Sequence, residues 1–122
     1  MSVFIALLEN LPGSIDDIVP YILQTCASEL SYLTGRTAYR RMIMQTVCMA
    51  FHYNAGLAFT ALEQAGQTAF IFQSLMMVVD ELTFQFELRR VVFGLTAVVA
   101  SETMPGQLPV VMQCLAQLAV RL

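Results

Sequence analysis

The chain has 122 residues, of which 57% are hydrophobic and only 12% charged, against roughly 25% charged in an ordinary soluble domain. So apolar a chain does not stay disordered, and it has little polar surface for an isolated globule. It reads either as a membrane protein or as a slice of a larger assembly whose cut faces are covered. A net charge of −3, with six arginines and no lysine, argues against a dedicated nucleic-acid binder and suits basic partners.

In chain order, a first helix is expected over about residues 2–10, ended by the breaker Leu11-Pro12-Gly13. Its start lacks a basic region and a small-residue cleavage site, so it does not read as a signal peptide. Ser14 followed by Asp17 resembles a capping box and predicts a helix from about Ile15 to Leu33, with Pro20 near its beginning. Thr34-Gly35 is the turn, and a partner helix runs from about Thr37 to Tyr53. Asn54-Ala55-Gly56 ends it, and a shorter helix covers about Leu57 to Gln64.

Further helices are expected near Gln67–Leu82, Glu87–Glu102 and Gln107–Leu122, the last after the breaker Met104-Pro105-Gly106. Leu88, Val91, Val92, Leu95 and Val99 form an apolar stripe at i, i+3, i+4 spacing. Arg90, Gly94, Ala97 and Ser101 share another face, small enough for a neighbouring helix to come close.

The stretch Met42 to Leu62 carries no formal charge and has the length of a membrane span. Gln45, Thr46, His52, Asn54 and Gly56 interrupt it, so a small multi-span membrane protein is the alternative from another class.

The chain also repeats itself. Tyr21-Ile22-Leu23-Gln24-Thr25 aligns with Phe70-Ile71-Phe72-Gln73-Ser74 at an offset of 49. The same offset places Leu33-Thr34 on Leu82-Thr83 and Arg40-Arg41 on Arg89-Arg90. A third partial copy, Pro109-Val110-Val111-Met112-Gln113, matches Pro20 to Gln24. The block therefore recurs at 20, 69 and 109, spacings of 49 and 40 that sit around the roughly 40–47-residue period of HEAT and armadillo units.

The fold expected is all-α: antiparallel HEAT-type helix pairs stacked in a right-handed α-solenoid, with about two and a half repeats. Residues 1–11 would end a preceding repeat, 14–64 form the first, 66–103 the second, and 106–122 begin a third. A pair of this size cannot bury its apolar face alone, so stacking explains the composition. Terminal helices carrying Phe4 and Leu118 would be sticky if exposed, which allows self-association.

Groups that carry chemistry are sparse. Cys26, Cys48 and Cys114 are widely spaced and read as buried free thiols rather than metal ligands or redox centres. His52, the one histidine, reads as structural. Asp16-Asp17 and Asp80-Glu81 are adjacent on helices and so point about 100° apart, which favours helix-end charge over paired acid–base work. The eight methionines read as fillers of helix–helix gaps.

No phosphate loop, nucleophile elbow, dinucleotide fingerprint or zinc-protease motif occurs. No catalytic residue, cofactor or metal site is expected. The remaining candidates are Arg40, Arg41, Arg89 and Arg90, which stacking would align into a ladder along one side. One arginine of each pair is expected to be structural, for instance Arg89 or Arg90 with Asp80 or Glu81. For the other, structural pairing and a cationic contact to a partner both stand.

Several segments carry a family resemblance. Asp17 to Leu30 resembles the first helix of a HEAT pair, with its internal proline. Tyr39-Arg40-Arg41-Met42-Ile43-Met44-Gln45, then Ala50-Phe51-His52-Tyr53-Asn54 and Thr60-Ala61-Leu62-Glu63, resembles the C-terminal region of importin-β-type transport receptors. The nearest class is that of importin-7 and importin-8. Leu88 to Leu95 resembles the next second helix of that class, and Ala55 stands where its pattern has proline.

The resemblance implies a nuclear transport receptor shuttling between nucleus and cytoplasm and present at the nuclear envelope. Its parent would carry protein cargo, basic ones such as ribosomal proteins and histones, contact Phe-Gly nucleoporins and bind Ran-GTP through N-terminal repeats. This segment would be wall, with cargo or nucleoporin contact of its own, and would bind neither nucleic acid nor membrane. A HEAT scaffold or adaptor of another complex is the alternative.

Overall fold

The computed structural model describes residues 1–11, 13–32 and 37–121. Among these residues six helices follow one another: α1 (Ser2–Asn10), α2 (Val19–Tyr32), α3 (Thr37–Ala65), α4 (Thr68–Val78), α5 (Gln85–Ser101) and α6 (Leu108–Ala119). Single 3-10 turns at Asp16–Ile18, Val79–Glu81 and Pro105–Gln107 lead into α2, out of α4 and into α6. No strand occurs among the described residues. The expected turn at Thr34-Gly35, the Leu33-Thr34 match, Pro12, Arg36 and Leu122 lie outside them.

Contacts between neighbours give the helix directions. Arg41 meets Glu87, Gln45 meets Arg90, Cys48 meets Gly94 and His52 meets Phe93. The α3 numbers rise through the four pairs and the α5 numbers rise from 87 through 90 to 93 and 94, so α3 and α5 run parallel. Leu8 and Glu9 at the end of α1 share a cavity with Met49, His52 and Tyr53 of α3, and α1 is parallel to α3 because α2 opposes both.

The intervening helices run back. Met1 touches Cys26 and Phe4 meets Tyr21, so α2 opposes α1; the Tyr53 hydroxyl meets Ile15 and Asp16, so α2 opposes α3. Arg121, just past α6, bonds to Gln85 at the start of α5, so α6 opposes α5. Pro20, Ala69 and Pro109 each occupy the second position of a helix, α2, α4 and α6 respectively. A proline there costs nothing, because its missing N–H belongs to the unpaired first turn.

The charge-free stretch of the sequence is the middle of this arrangement. Every residue from Ile43 to Phe51 is buried, including Gln45 and Thr46, because α1, α2 and α5 all pack on α3. A helix apolar all round must be enclosed by protein or by lipid. Here protein encloses it, and no helix among the described residues is long and apolar enough to cross a membrane. Phe51 stacks on Phe72 of α4 with ring centroids 5.6 Å apart, closing the core on that side. Burial of one such side chain stabilises by about 1.5–3 kcal/mol.

The structure corrects several local expectations. Ser14 caps nothing: the helical turn begins after Ile15 without a side-chain cap, and a 3-10 turn precedes α2. Its place is taken by Tyr53, whose hydroxyl accepts the Ile15 N–H at 3.1 Å and donates to the Asp16 carboxylate.

Asn54-Ala55-Gly56 is not a three-residue turn. Asn54 alone leaves helical geometry (φ −164, ψ 97), and α3 resumes at once. Its Oδ1 accepts the Leu57 N–H at 3.1 Å, so Asn54 breaks the first segment and caps the second. Ala55 is thereby the first residue of a helix segment that follows extended backbone, a setting whose backbone suits proline.

On α5 the buried stripe is Leu88, Val91, Leu95 and Val98, with Gly94. Val92 and Val99 are half-buried, a rotation of the expected face toward α3. Leu118 is fully buried rather than exposed at the end of the chain, while Phe4 is half-buried with its ring edge-on to Tyr21.

Candidate functional site

The four arginines singled out by the repeat sit near the starts of α3 and α5, and two of them enter one hydrogen-bond network. Glu87, in the first turn of α5, is only 4% exposed. Its Oε1 accepts the backbone N–H groups of Thr83 and Phe84 at 3.0 and 3.1 Å, satisfying donors that a helix start leaves unpaired. Its Oε2 accepts Arg41 Nε at 3.2 Å and Gln45 Nε2 at 3.1 Å. The carbonyl of Gln45 then accepts Arg90 Nη1 at 2.8 Å, and Arg90 Nη2 reaches Glu9 of α1 at 3.7 Å. One chain of polar contacts therefore joins α1, α3 and α5.

The electrostatics follow from the geometry. Burial alone would raise the Glu87 carboxyl, but the two backbone donors and Arg41 outweigh it and hold its pKa below the ordinary 4.5. An unpaired buried carboxylate would be costly, and this one has four donors. Arg41 and Arg90, which the 49-residue offset pairs, thus lie at two ends of one network.

The partners expected for the second pair were Asp80 and Glu81. Among the described residues the ion pairs are instead Arg41–Glu87 and Arg90–Glu9. Asp80 and Glu81 belong to the turn after α4, where Arg121 donates to the Val79 carbonyl at 2.7 Å. Arg40 is half-buried and Arg89 is exposed; neither forms an ion pair among the described residues.

Beside the network lies an aromatic surface. Phe84, just before α5, and Phe86 and Phe93 on it are 56%, 47% and 49% exposed. The Phe84 and Phe86 rings stack with centroids 5.6 Å apart, and the Arg90 guanidinium lies 5.2 Å from the Phe86 centroid. His52 is exposed and stacks on Phe93 at 5.5 Å, a role the sequence did not indicate. A cavity of about 270 Å³ opens between α1, α3 and α5, lined by Leu8, Glu9, Met49, His52, Tyr53 and Phe93.

A larger cavity of about 590 Å³ lies between α2 and the second segment of α3. Its lining, which includes Gln24, Ser28, Gln64 and Gln67, has no ionisable side chain.

Elsewhere, Thr68 Oγ1 and Glu81 Oε2 are buried without a hydrogen-bond partner among the described residues. Cys26, Cys48 and Cys114 are free and buried. Burial pushes the Cys26 thiol up to about 12 and raises the other two, so little thiolate forms near neutral pH. Burial, with the Asp16 contact, also raises the Tyr53 hydroxyl above its usual value. No three metal-ligating side chains converge among the described residues. Met44, Met49 and Met104 fill the core as expected, while Met76, Met77 and Met112 are exposed.

Sequence reasoning named the arginines but missed Glu87, Gln45 and Glu9. The signal for Glu87 was half present, since Phe84-x-x-Glu87 has the spacing of a capping box but not its Ser or Thr.

No known protein family matches this chain, and neither curated proteins nor solved structures yield a match.

Proposed function

We propose that this chain is a non-catalytic, protein-binding segment of an importin-β-type transport receptor, folded as HEAT-type pairs of a right-handed α-solenoid. The observation that carries the scaffold half of this reading is the alternation of helix direction. α1, α3 and α5 run one way, while α2 runs opposite to α1 and α3 and α6 opposite to α5, as stacked antiparallel pairs do. The recurrence of the Pro/Ala block at the second position of α2, α4 and α6 supports a repeat of about 40–49 residues. Polar contacts and a glycine seam join α3 to α5, which is how neighbouring repeats become one continuous wall.

The transport half rests on the resemblance of residues 15 to 100, above all Tyr39 to Gln45, Ala50 to Asn54 and Leu88 to Leu95, to that receptor class. The bend at Asn54 supports it, because the class carries proline one residue later, where the backbone of this chain also suits it.

In this reading the buried faces hold the wall together, and the exposed faces of α5 and α3 supply contacts to cargo or nucleoporins. The test is Ran binding by the full-length protein. Immobilised protein should retain Ran loaded with non-hydrolysable GTP and not Ran-GDP, and GTP-loaded Ran should displace bound cargo. Equal retention of both nucleotide states, or none, would leave the scaffold without its transport role and favour an adaptor of another complex.

A further inference from the structure

We propose that the face of α5 bearing Phe86, Arg89, Arg90 and Phe93, with His52 beside it, docks an acidic amphipathic segment of another protein. This inference rests on the scaffold reading and names the chemistry of one partner. Phe86 and Phe93 are seven residues apart, two helical turns, and so share a face about 10 Å long. Both are about half exposed, at 47% and 49%. Two large aromatics left on one face form an apolar patch of the kind that marks interaction sites, and aromatic and arginine anchors dominate such contacts.

The charges between them select the partner. Arg89 is exposed and has no ion pair among the described residues. Arg90 is already held in place by Gln45 at 2.8 Å and by the Phe86 ring at 5.2 Å, so it has little side-chain freedom left to lose on binding. The carboxylates in contact with this edge are Glu87, which is buried and fully bonded, and Glu9, 3.7 Å from Arg90.

A basic segment would meet two arginines, whereas an acidic one complements them. The cavity of about 270 Å³ beside Phe93, lined by Leu8, Met49 and Phe93 together with Glu9, His52 and Tyr53, has room for one side chain of such a segment. An anionic membrane offers carboxylates and phosphates but no side chain for that cavity.

The full 122-residue chain is titrated into a labelled helical peptide of about 18 residues, with leucine on one face and glutamate elsewhere. Companion peptides replace every glutamate by lysine or every leucine by serine. Vesicles of phosphatidylserine and phosphatidylcholine form a separate arm. The acidic peptide should bind at least about tenfold more tightly than either companion and weaken as salt rises.

Arg89→Glu should abolish that preference or invert it toward the lysine peptide. Phe93→Ser should weaken binding of the acidic peptide about tenfold or more. Both residues are exposed, so thermal melting should report an intact fold in each variant.

Equal binding of the acidic and lysine peptides, binding to vesicles alone, no binding, or unchanged binding by both variants would overturn the proposal. Ran binding by the full-length protein is read separately. Failure there with success here would remove the transport role and keep the docking face, and the reverse would do the opposite.

Discussion

The backbone of Cys48 lies directly against Gly94. A Cβ placed on Gly94 would stand 2.3 Å from the Cys48 carbonyl oxygen and 2.6 Å from its Cα. No side chain fits there, so α3 and α5 touch backbone to backbone along this seam. In a helix interior, Gly→Ala ordinarily stabilises by roughly 0.5–1 kcal/mol. Gly94→Ala is expected to do the reverse. Two backbones must separate, which costs about 1–3 kcal/mol or more, and denaturant unfolding should report it. A stabilised Gly94→Ala would mean that the helices are not in this contact.

Glu87 is the second point at which α3 and α5 are tied. Glu87→Ala leaves the Thr83 and Phe84 N–H groups, Arg41 and Gln45 without their acceptor, and is expected to cost about 3–5 kcal/mol, as for a broken buried pair.

Its pH dependence has a definite sign. The folded-state pKa is depressed, so the stability it contributes is present above the unfolded value of about 4.5 and is lost as pH falls through the lower folded value. Melting temperatures of the wild type and Glu87→Gln should therefore differ at neutral pH and converge in acid. A constant difference down to pH ~2 would show that ionisation of Glu87 is not the cause.

Asn54 ends one helix segment and caps the next with a single side chain. Asn54→Ala removes the cap and is expected to destabilise by about 0.5–2 kcal/mol. Asn54→Asp, which keeps an acceptor at the same place, should recover most of that loss. Equal losses in the two variants would show that the side-chain oxygen is not what holds the bend.

Glu102 closes α5 in the left-handed region at φ +56, where a Cβ is strained. Its side chain is exposed, so Glu102→Gly relieves the strain without removing packing. A gain of about 1 kcal/mol is expected, visible as a rise of several degrees in melting temperature.

How much of this the sequence carried depends on which contacts are local. The segmentation into helices followed from Gly, Pro and Asn punctuation and apolar spacing; it was right to within a few residues except in α3, where the expected turn is a one-residue bend at Asn54. The close approach at Gly94 was also legible, because a column of small residues has few other uses.

What the sequence did not carry was partner choice. Arg41 and Arg90 were visible as charges, but their acceptors lie 46 and 45 residues away in sequence, on neighbouring helices. Asp80 and Glu81 were nearer in sequence and wrong, since the turn after α4 takes them toward α6 and Arg121. The same reason hid the Tyr53 clamp: its hydroxyl does for the start of α2 what Ser14 was expected to do, from 38 residues away.

The function proposed for this chain meets its most direct test in permeabilised cells. Fluorescent full-length protein should collect at the nuclear rim and enter the nucleus, and Ran with GTP should release its cargo there. Exclusion from nuclei like that of an inert protein of the same size, with no rim signal, would contradict the transport-receptor account.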